Sequence, residues 1–338
     1  MIINCHCHIF SLECVPKAFR ERFLLLEGNP AHRLIRRVLS LLLRVDSKME
    51  DYLEFIGLSI EEIAQKLARE MDDAGVEICT PLMMDMEYCK KYGGGTKSFE
   101  DQIEETASAV IAINEKYKRT RMLPFIAADP NRPNVVNIVL DSLRGGVFKG
   151  VKIYPVMGFS PVDSRLYPIY EYCEENSVPI TTHCQRGGIP GLGEYYHLAD
   201  PKNWEQVLKT FPSLTLNLAH NDRTGSDWQP VIADLILQYP NVYTDISYDT
   251  EMLFMPGRYF RHIKSMLNSP KIRDRLLYGT DWYMGRCFWT EASYLKWFRK
   301  YAGEIFWCRV TFTEEELTRL TESNPKRFLG LRDKNTAS

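Results

Sequence analysis

Two histidines alternate along the first apolar stretch of the chain, Met1-Ile-Ile-Asn-Cys-His-Cys-His-Ile-Phe10. A strand sends residues i and i+2 to one face, so His6 and His8 project together, with Cys5 and Cys7 on the other side. Imidazole suits zinc and its neighbours, and two such groups on one strand make half a metal site. Later apolar runs end in matching chemistry. Gly150-Val-Lys-Ile-Tyr-Pro155 carries Lys152 and Tyr154 on one face. Pro-Ile-Thr-Thr-His183, Leu-Asn-Leu-Ala-His220 and Leu-Leu-Tyr-Gly-Thr-Asp281 each close on a group that binds metals or protons. A lysine within an apolar strand is costly to bury unless paired or neutralised. A single strand-end histidine is more often a hydrogen-bonded structural residue than a ligand. Four histidines and an aspartate at separate strand ends point instead to a metal site.

These side chains meet only if their strands lie side by side. Eight short β-branched or apolar runs fall at 2–8, 76–83, 122–127, 150–154, 179–183, 214–220, 242–246 and 276–281. Helical patterns lie between them, at 99–117, 135–143, 166–176, 204–211 and 228–239, with a late one at 313–322. The clearest follows Ser59, with Glu62 three residues on as a capping box. Ile60, Ile63, Ala64, Leu67, Met71 and Ala74 form its apolar stripe, and Gly75 stops it. Strands alternating with helices imply parallel βαβ units. Eight of them fit an α/β fold of the (β/α)8 TIM barrel type better than an open doubly wound sheet. No GxGxxG or GxxxxGK(S/T) loop is present, which weakens the nucleotide-binding alternative. In such a barrel the active site lies at the C-terminal ends of the strands, where the residues above stand.

Two segments depart from the plain repeat. Residues 11–57 separate the first strand from its helix, far beyond the usual loop length. They contain an apolar and basic helix candidate at 31–44, expected to pack on the barrel rim, over the site as a lid, or on a second subunit in a homodimer. Residues 245–275, rich in Met, Phe and Tyr, are the candidate wall of a pocket. The whole of 1–331 reads as one domain, and 332–338 as a frayed tail.

Composition narrows the partners. The chain has 338 residues, 45% of them hydrophobic, which is enough for one large core. A net charge of -2 and a pI near 6.4 give no reason to expect nucleic acid. The apolar runs fall short of a membrane span, and the start lacks the basic region of a signal peptide. Nine cysteines, an odd number without paired spacing, read as reduced thiols in a cytoplasm. The expected partner is a small-molecule substrate.

The ordered set of HxH, strand-five His, strand-six His and Gly-Thr-Asp resembles the amidohydrolase superfamily, specifically its amidohydrolase-related branch. That branch also contains decarboxylases similar to aminocarboxymuconate-semialdehyde decarboxylase. The resemblance runs from His6-x-His8 to Asn324-Pro-Lys-Arg-Phe-Leu-Gly-Leu331. It implies a divalent transition metal, zinc first, held by His6, His8, His183 and Asp281, with His220 beside the metal-bound water. In binuclear members a carboxylated lysine at the end of strand four bridges two metals. Lys152 in Lys-Ile-Tyr-Pro is similar to that motif as found in dihydroorotases. Carboxylated, it would join a metal on His6, His8 and Asp281 to another on His183 and His220. Lysine is also common at this place in the amidohydrolase-related branch, where one metal is usual, so one metal is the expectation.

The resemblance also implies roles. Asp281 orients water and passes its proton to the leaving group. His220 polarises the scissile carbonyl or stabilises the oxyanion. Arg186 and Arg223 each follow a strand-end histidine by three residues, and arginine forks bind carboxylates well, which suggests an acidic substrate. Tyr154, Trp282 and Tyr283 either stack on substrate or pack as ordinary core. Hydrolysis of an amide, lactone or ester is the leading activity. Non-oxidative decarboxylation of a small aromatic or enoic acid is the rival. Such decarboxylases tend to carry glycines after the strand-six histidine; here Asn221-Asp222-Arg223 follows, which favours hydrolysis.

Overall fold

The computed structural model describes residues 1–18, 57–188, 192–222, 224–249, 251–304, 306 and 308–331. Eight strands alternate with helices along it. In chain order they are β1 (Ile3–Cys7), α1 (Ile60–Ala74), β2 (Ile78–Pro81), α2 (Phe99–Tyr117), β3 (Phe125–Ala128), α3 (Val135–Arg144), β4 (Gly150–Ile153) and α4 (Tyr167–Glu175). Then come β5 (Ile180–His183), α5 (Asn203–Thr210), β6 (Leu216–Ala219), α6 (Trp228–Gln238), β7 (Val242–Asp245), α7 (Pro256–Asn268), β8 (Leu276–Leu277) and α8 (Glu291–Lys296).

Strands β3 to β8 form one parallel ladder in sequence order, and β1 pairs with β2 in parallel. Short bridges join the two pieces. Cys79 with Met122 and Leu82 with Phe125 link β2 to β3, and Cys7 with Trp282 links β1 to the chain beyond β8. Cys5 N–H also donates to Tyr278 O at 2.8 Å, and Asp281 N–H to His6 O at 2.9 Å. The ring is thereby closed as the (β/α)8 barrel that the alternation predicts. Its strands are shorter than expected, and beyond β6 and β8 the chain turns left-handed at the mouth. His220, Asn221 and Asp222 have φ of 73°, 50° and 48°, and Asp281 has 54°. Left-handed backbone cannot continue a strand.

The helix signals act as read. Ser59 and Glu62 form a reciprocal capping box, α1 buries Ile60, Ile63, Ala64, Leu67 and Met71, and Gly75 ends it at φ 69°. Thr313 and Glu316 form another box. Most apolar side chains fill the layer between strands and helices. A smaller cluster, including Ile3, Cys5, Phe125, Tyr243, Leu277 and Phe328, plugs the barrel interior from strands on opposite sides. A Cβ at Gly150 would come within 2.5 Å of the Phe125 ring, so glycine there makes room for the plug.

One local expectation is corrected. Cys5 and Cys7 do not share a face, because the β1–β2 register shifts between Asn4 and Cys7. Such an irregularity breaks strict alternation. Cys5 joins the inner plug, while Cys7 joins the outer layer. Eight cysteines, all buried, are free thiols among the described residues. The 245–275 segment contains α7, with Tyr259, Phe260 and Ile263 turned into the core. The helix candidate at 31–44 and the tail at 332–338 lie outside the described residues. Among the described residues no helix is long and apolar enough to cross a membrane.

Candidate metal centre

β1 and the turn after β8 bring His6, His8 and Asp281 together, all buried. His8 Nδ1 lies 2.6 Å from Leu82 O. A carbonyl only accepts, so the proton sits on Nδ1. Burial lowers the pKa of His8, which leaves it neutral at pH 7 with a bare lone pair on Nε2. That lone pair faces Asp281 Oδ1 at 3.1 Å. His6 repeats the arrangement. Its Nδ1 donates to Asp245 Oδ2 at 3.0 Å, and its Nε2 lies 3.5 Å from the same Asp281 oxygen. Burial raises the pKa of Asp281, but His8, His6 and His220 together hold it below the usual carboxylate value. His6 Nε2 and Asp281 Oδ1 are buried without a hydrogen-bond partner. Three potential ligand atoms thus converge, two of them without a hydrogen-bond partner. Imidazoles anchored through one nitrogen and open at the other are the usual ligand arrangement at a metal. The residues fit a divalent transition metal bound by nitrogen and oxygen.

A second cluster, His6, His220 and Asp245, also has its donor atoms within 4.8 Å of one another. Hydrogen bonds already occupy it. Asp245, at the end of β7, accepts from His6 Nδ1, from Asn217 Nδ2 at 2.7 Å, from His220 N–H at 2.9 Å and from Ser247 N–H at 3.1 Å. The Ser247 hydroxyl donates to it as well. Burial opposes its charge, yet His6, His220 and Ser247 hold it ionised well below the usual range. Sequence reasoning missed Asp245. The available signal was its place at the end of strand seven, Val-Tyr-Thr-Asp245, where the same rule had selected the other site residues.

Ser247 fixes the tautomer of His220. Its hydroxyl proton goes to Asp245, so His220 Nδ1 must donate, to Ser247 Oγ at 2.9 Å and Ser247 O at 3.2 Å. Burial lowers the His220 pKa to about 3, so the ring is neutral and Nε2 is a lone pair. His183 Nδ1 stands 3.0 Å from that lone pair, and His183 Nε2 lies 3.2 Å from Gly187 O. Burial, then His220, lowers the pKa of His183. One N–H on a neutral ring therefore faces two acceptors. His183 is beside His220 but outside the set made by His6, His8 and Asp281.

The remaining expected residues divide. Lys152 is 1% exposed and makes no hydrogen bond or ion pair among the described residues. Burial lowers its pKa to about 8 against the pull of Asp281 and Asp245. Tyr154 meets the His183 ring edge-on at 4.8 Å. The Arg186 fork is already engaged by Asp227, and its guanidinium lies 4.4 Å over Trp228. Arg223 lies outside the described residues. Trp282 and Tyr283 are buried, with Tyr283 packed edge-on against Phe10.

Comparison with known proteins adds a family and a fold. A sequence profile described as amidohydrolase matches residues 3–331. No curated protein sequence matches the chain. An uncharacterised TIM-barrel protein from Bordetella bronchiseptica superposes with a TM-score of 0.59 at 19% identity, covering 98% of each chain. 4-Oxalomesaconate hydratase from Rhodopseudomonas palustris gives 0.54 at 15%, covering 98% of this chain and 96% of that one. A zinc-bound amidohydrolase from Burkholderia ambifaria gives 0.52 at 11%, covering 99% and 86%.

Proposed function

Because this chain belongs to the amidohydrolase family, we propose that it is a metal-dependent hydrolase of an amide, lactone or ester in a small, acidic substrate. His6, His8 and Asp281 hold one divalent transition metal, with zinc the first choice and His183 the remaining candidate ligand. When bound, such an ion supplies Lewis acidity and hydroxide at neutral pH. The observation that carries the reading is the convergence of three buried ligand atoms, two of them without a hydrogen-bond partner.

The protein's own groups divide the proton work. Asp281, held as a carboxylate, orients the nucleophilic water, takes its proton and returns it to the leaving group. In the tautomer that Ser247 favours, neutral His220 presents a lone pair and not an N–H at Nε2. Ser247 and Asp245 hold it in that tautomer, with its Nε2 lone pair toward His183. Lys152 stays unmodified in the one-metal reading; a carboxylated Lys152 and a second metal on His183 and His220 are the alternative. Free buried thiols support a reducing, cytoplasmic setting. A homodimer contact through 11–57 is retained as part of the proposal, and light scattering of a 31–44 deletion checks it.

Metal analysis with and without bicarbonate should return one equivalent in both cases. The loaded protein should then open lactones, esters or amides of small acids. Carbon dioxide release without hydrolysis would replace the proposal with the decarboxylase reading.

A further inference from the structure

Acid recognition was expected from Arg186 and Arg223, but Arg186 is committed to Asp227 and Trp228. Another cation is better placed. Resting on the hydrolase reading, we propose that Lys152 is the anchor for a substrate carboxylate, acting as an unmodified ammonium. Its register neighbours are Ala127 on β3 and Thr181 on β5, both small and neither acidic. Neither gives the amine a counter-charge. Tyr154, two residues on, lies 5.9 Å from Lys152 Nζ by its ring centre and meets His183 edge-on. The amine therefore lies on the side of His183 and His220, both of which feel its charge.

The nearby carboxylates are spoken for. Asp245 already receives five donors, and Asp281 is faced by His6 and His8. Neither comes within 4.0 Å of the amine, since no ion pair forms. An ammonium buried without an anion is strongly unfavourable, and such a group persists where a ligand completes it. Lysine supplies a compact point charge, which suits one carboxylate oxygen in a tight chamber. The ligand class is a small acid whose carboxylate lies close to the scissile carbonyl.

Calorimetric titration of the metal-loaded protein with benzoate and with benzamide tests this without turnover. Wild type should prefer the anion. Lys152→Met should lose about ten- to hundredfold of that preference at unchanged metal content. Its melting temperature should rise, because an apolar stem replaces an unpaired buried charge. Lys152→Arg should keep a preference for benzoate. An unchanged preference in Lys152→Met, a lower melting temperature for it, or no benzoate binding to wild type would each overturn the anchor. So would a carbamate on Lys152 seen after labelling with carbon-13 bicarbonate. None of these results touches the hydrolase reading, which is decided by turnover.

Discussion

Asp245→Asn is the most informative single change, since it preserves shape and alters only one carboxylate oxygen. Oδ2 receives His6 Nδ1–H and the Asn217 amide, while Oδ1 receives two backbone N–H groups and the Ser247 hydroxyl. An amide nitrogen in either position confronts at least two donors. Each buried donor left unpaired costs roughly 1–3 kcal/mol, so the loss is on the order of 2–6 kcal/mol. With an unfolding entropy of about 2.1 cal/mol/K per residue, 338 residues give about 1.5 °C per kcal/mol. The melting temperature should fall by roughly 3–9 °C. The second effect is at the centre. Without its acceptor, His6 is free to move its proton to Nε2 and bond Asp281, which removes one lone pair. Loss of such an outer partner weakens metal binding by about 10- to 100-fold. Calorimetry and chelator competition measure the two effects. Wild-type melting together with wild-type metal affinity would refute the hydrogen-bond reasoning.

His8→Ala and Asp281→Ala should each lose most bound metal and activity while the barrel stays folded by circular dichroism; full occupancy in both variants would end the metal assignment. Asp129, just beyond β3, has one oxygen bonded to Asn131 N–H and the other without a partner. Burial lifts its pKa to about 7. Folded protein thus keeps this proton at higher pH than the unfolded chain, whose value is about 3.9. Its relative contribution is fully present below about pH 4 and is lost as pH rises through about 7. Asp129→Asn should flatten the fall in stability between those values, and an unchanged pH profile of denaturant midpoints would count against it.

The alternation of short apolar runs with amphipathic ones made the barrel legible, because parallel strands and their cover helices carry different periods. Ser59 with Glu62, and Thr313 with Glu316, were readable because a capping box is wholly local. Strand ends were harder. The left-handed turns at His220 and Asp281 shorten β6 and β8, and they depend on neighbours far along the chain. The β1 irregularity that separates Cys5 from Cys7 has no signature in the residues themselves. Asp245 was passed over because its importance lies in five donors drawn from β1, β6 and its own turn. The chemistry of His220 was hard to read for a related reason: a sequence names an imidazole but not which nitrogen holds the proton. Arg186 is a different case, since the sequence does not show that its fork pairs with Asp227 at the rim.

The closure of the barrel between β1 and β8 also sets an order of events. In chain order His6 and His8 precede Asp281 by about 270 residues, with β2 to β8 between. Until Trp282 arrives to meet Cys7, the N-terminal strand lacks its lateral partner on that side and the centre does not exist. A nascent or C-terminally truncated chain is therefore unable to load metal correctly, however well its middle strands have formed. An ion gripped from both sides of this seam closes a loop that spans the whole barrel, and a clasp on so long a loop restricts the unfolded ensemble strongly. Loading then acts as a completeness check on synthesis: only a chain made to its eighth strand gains the added stability.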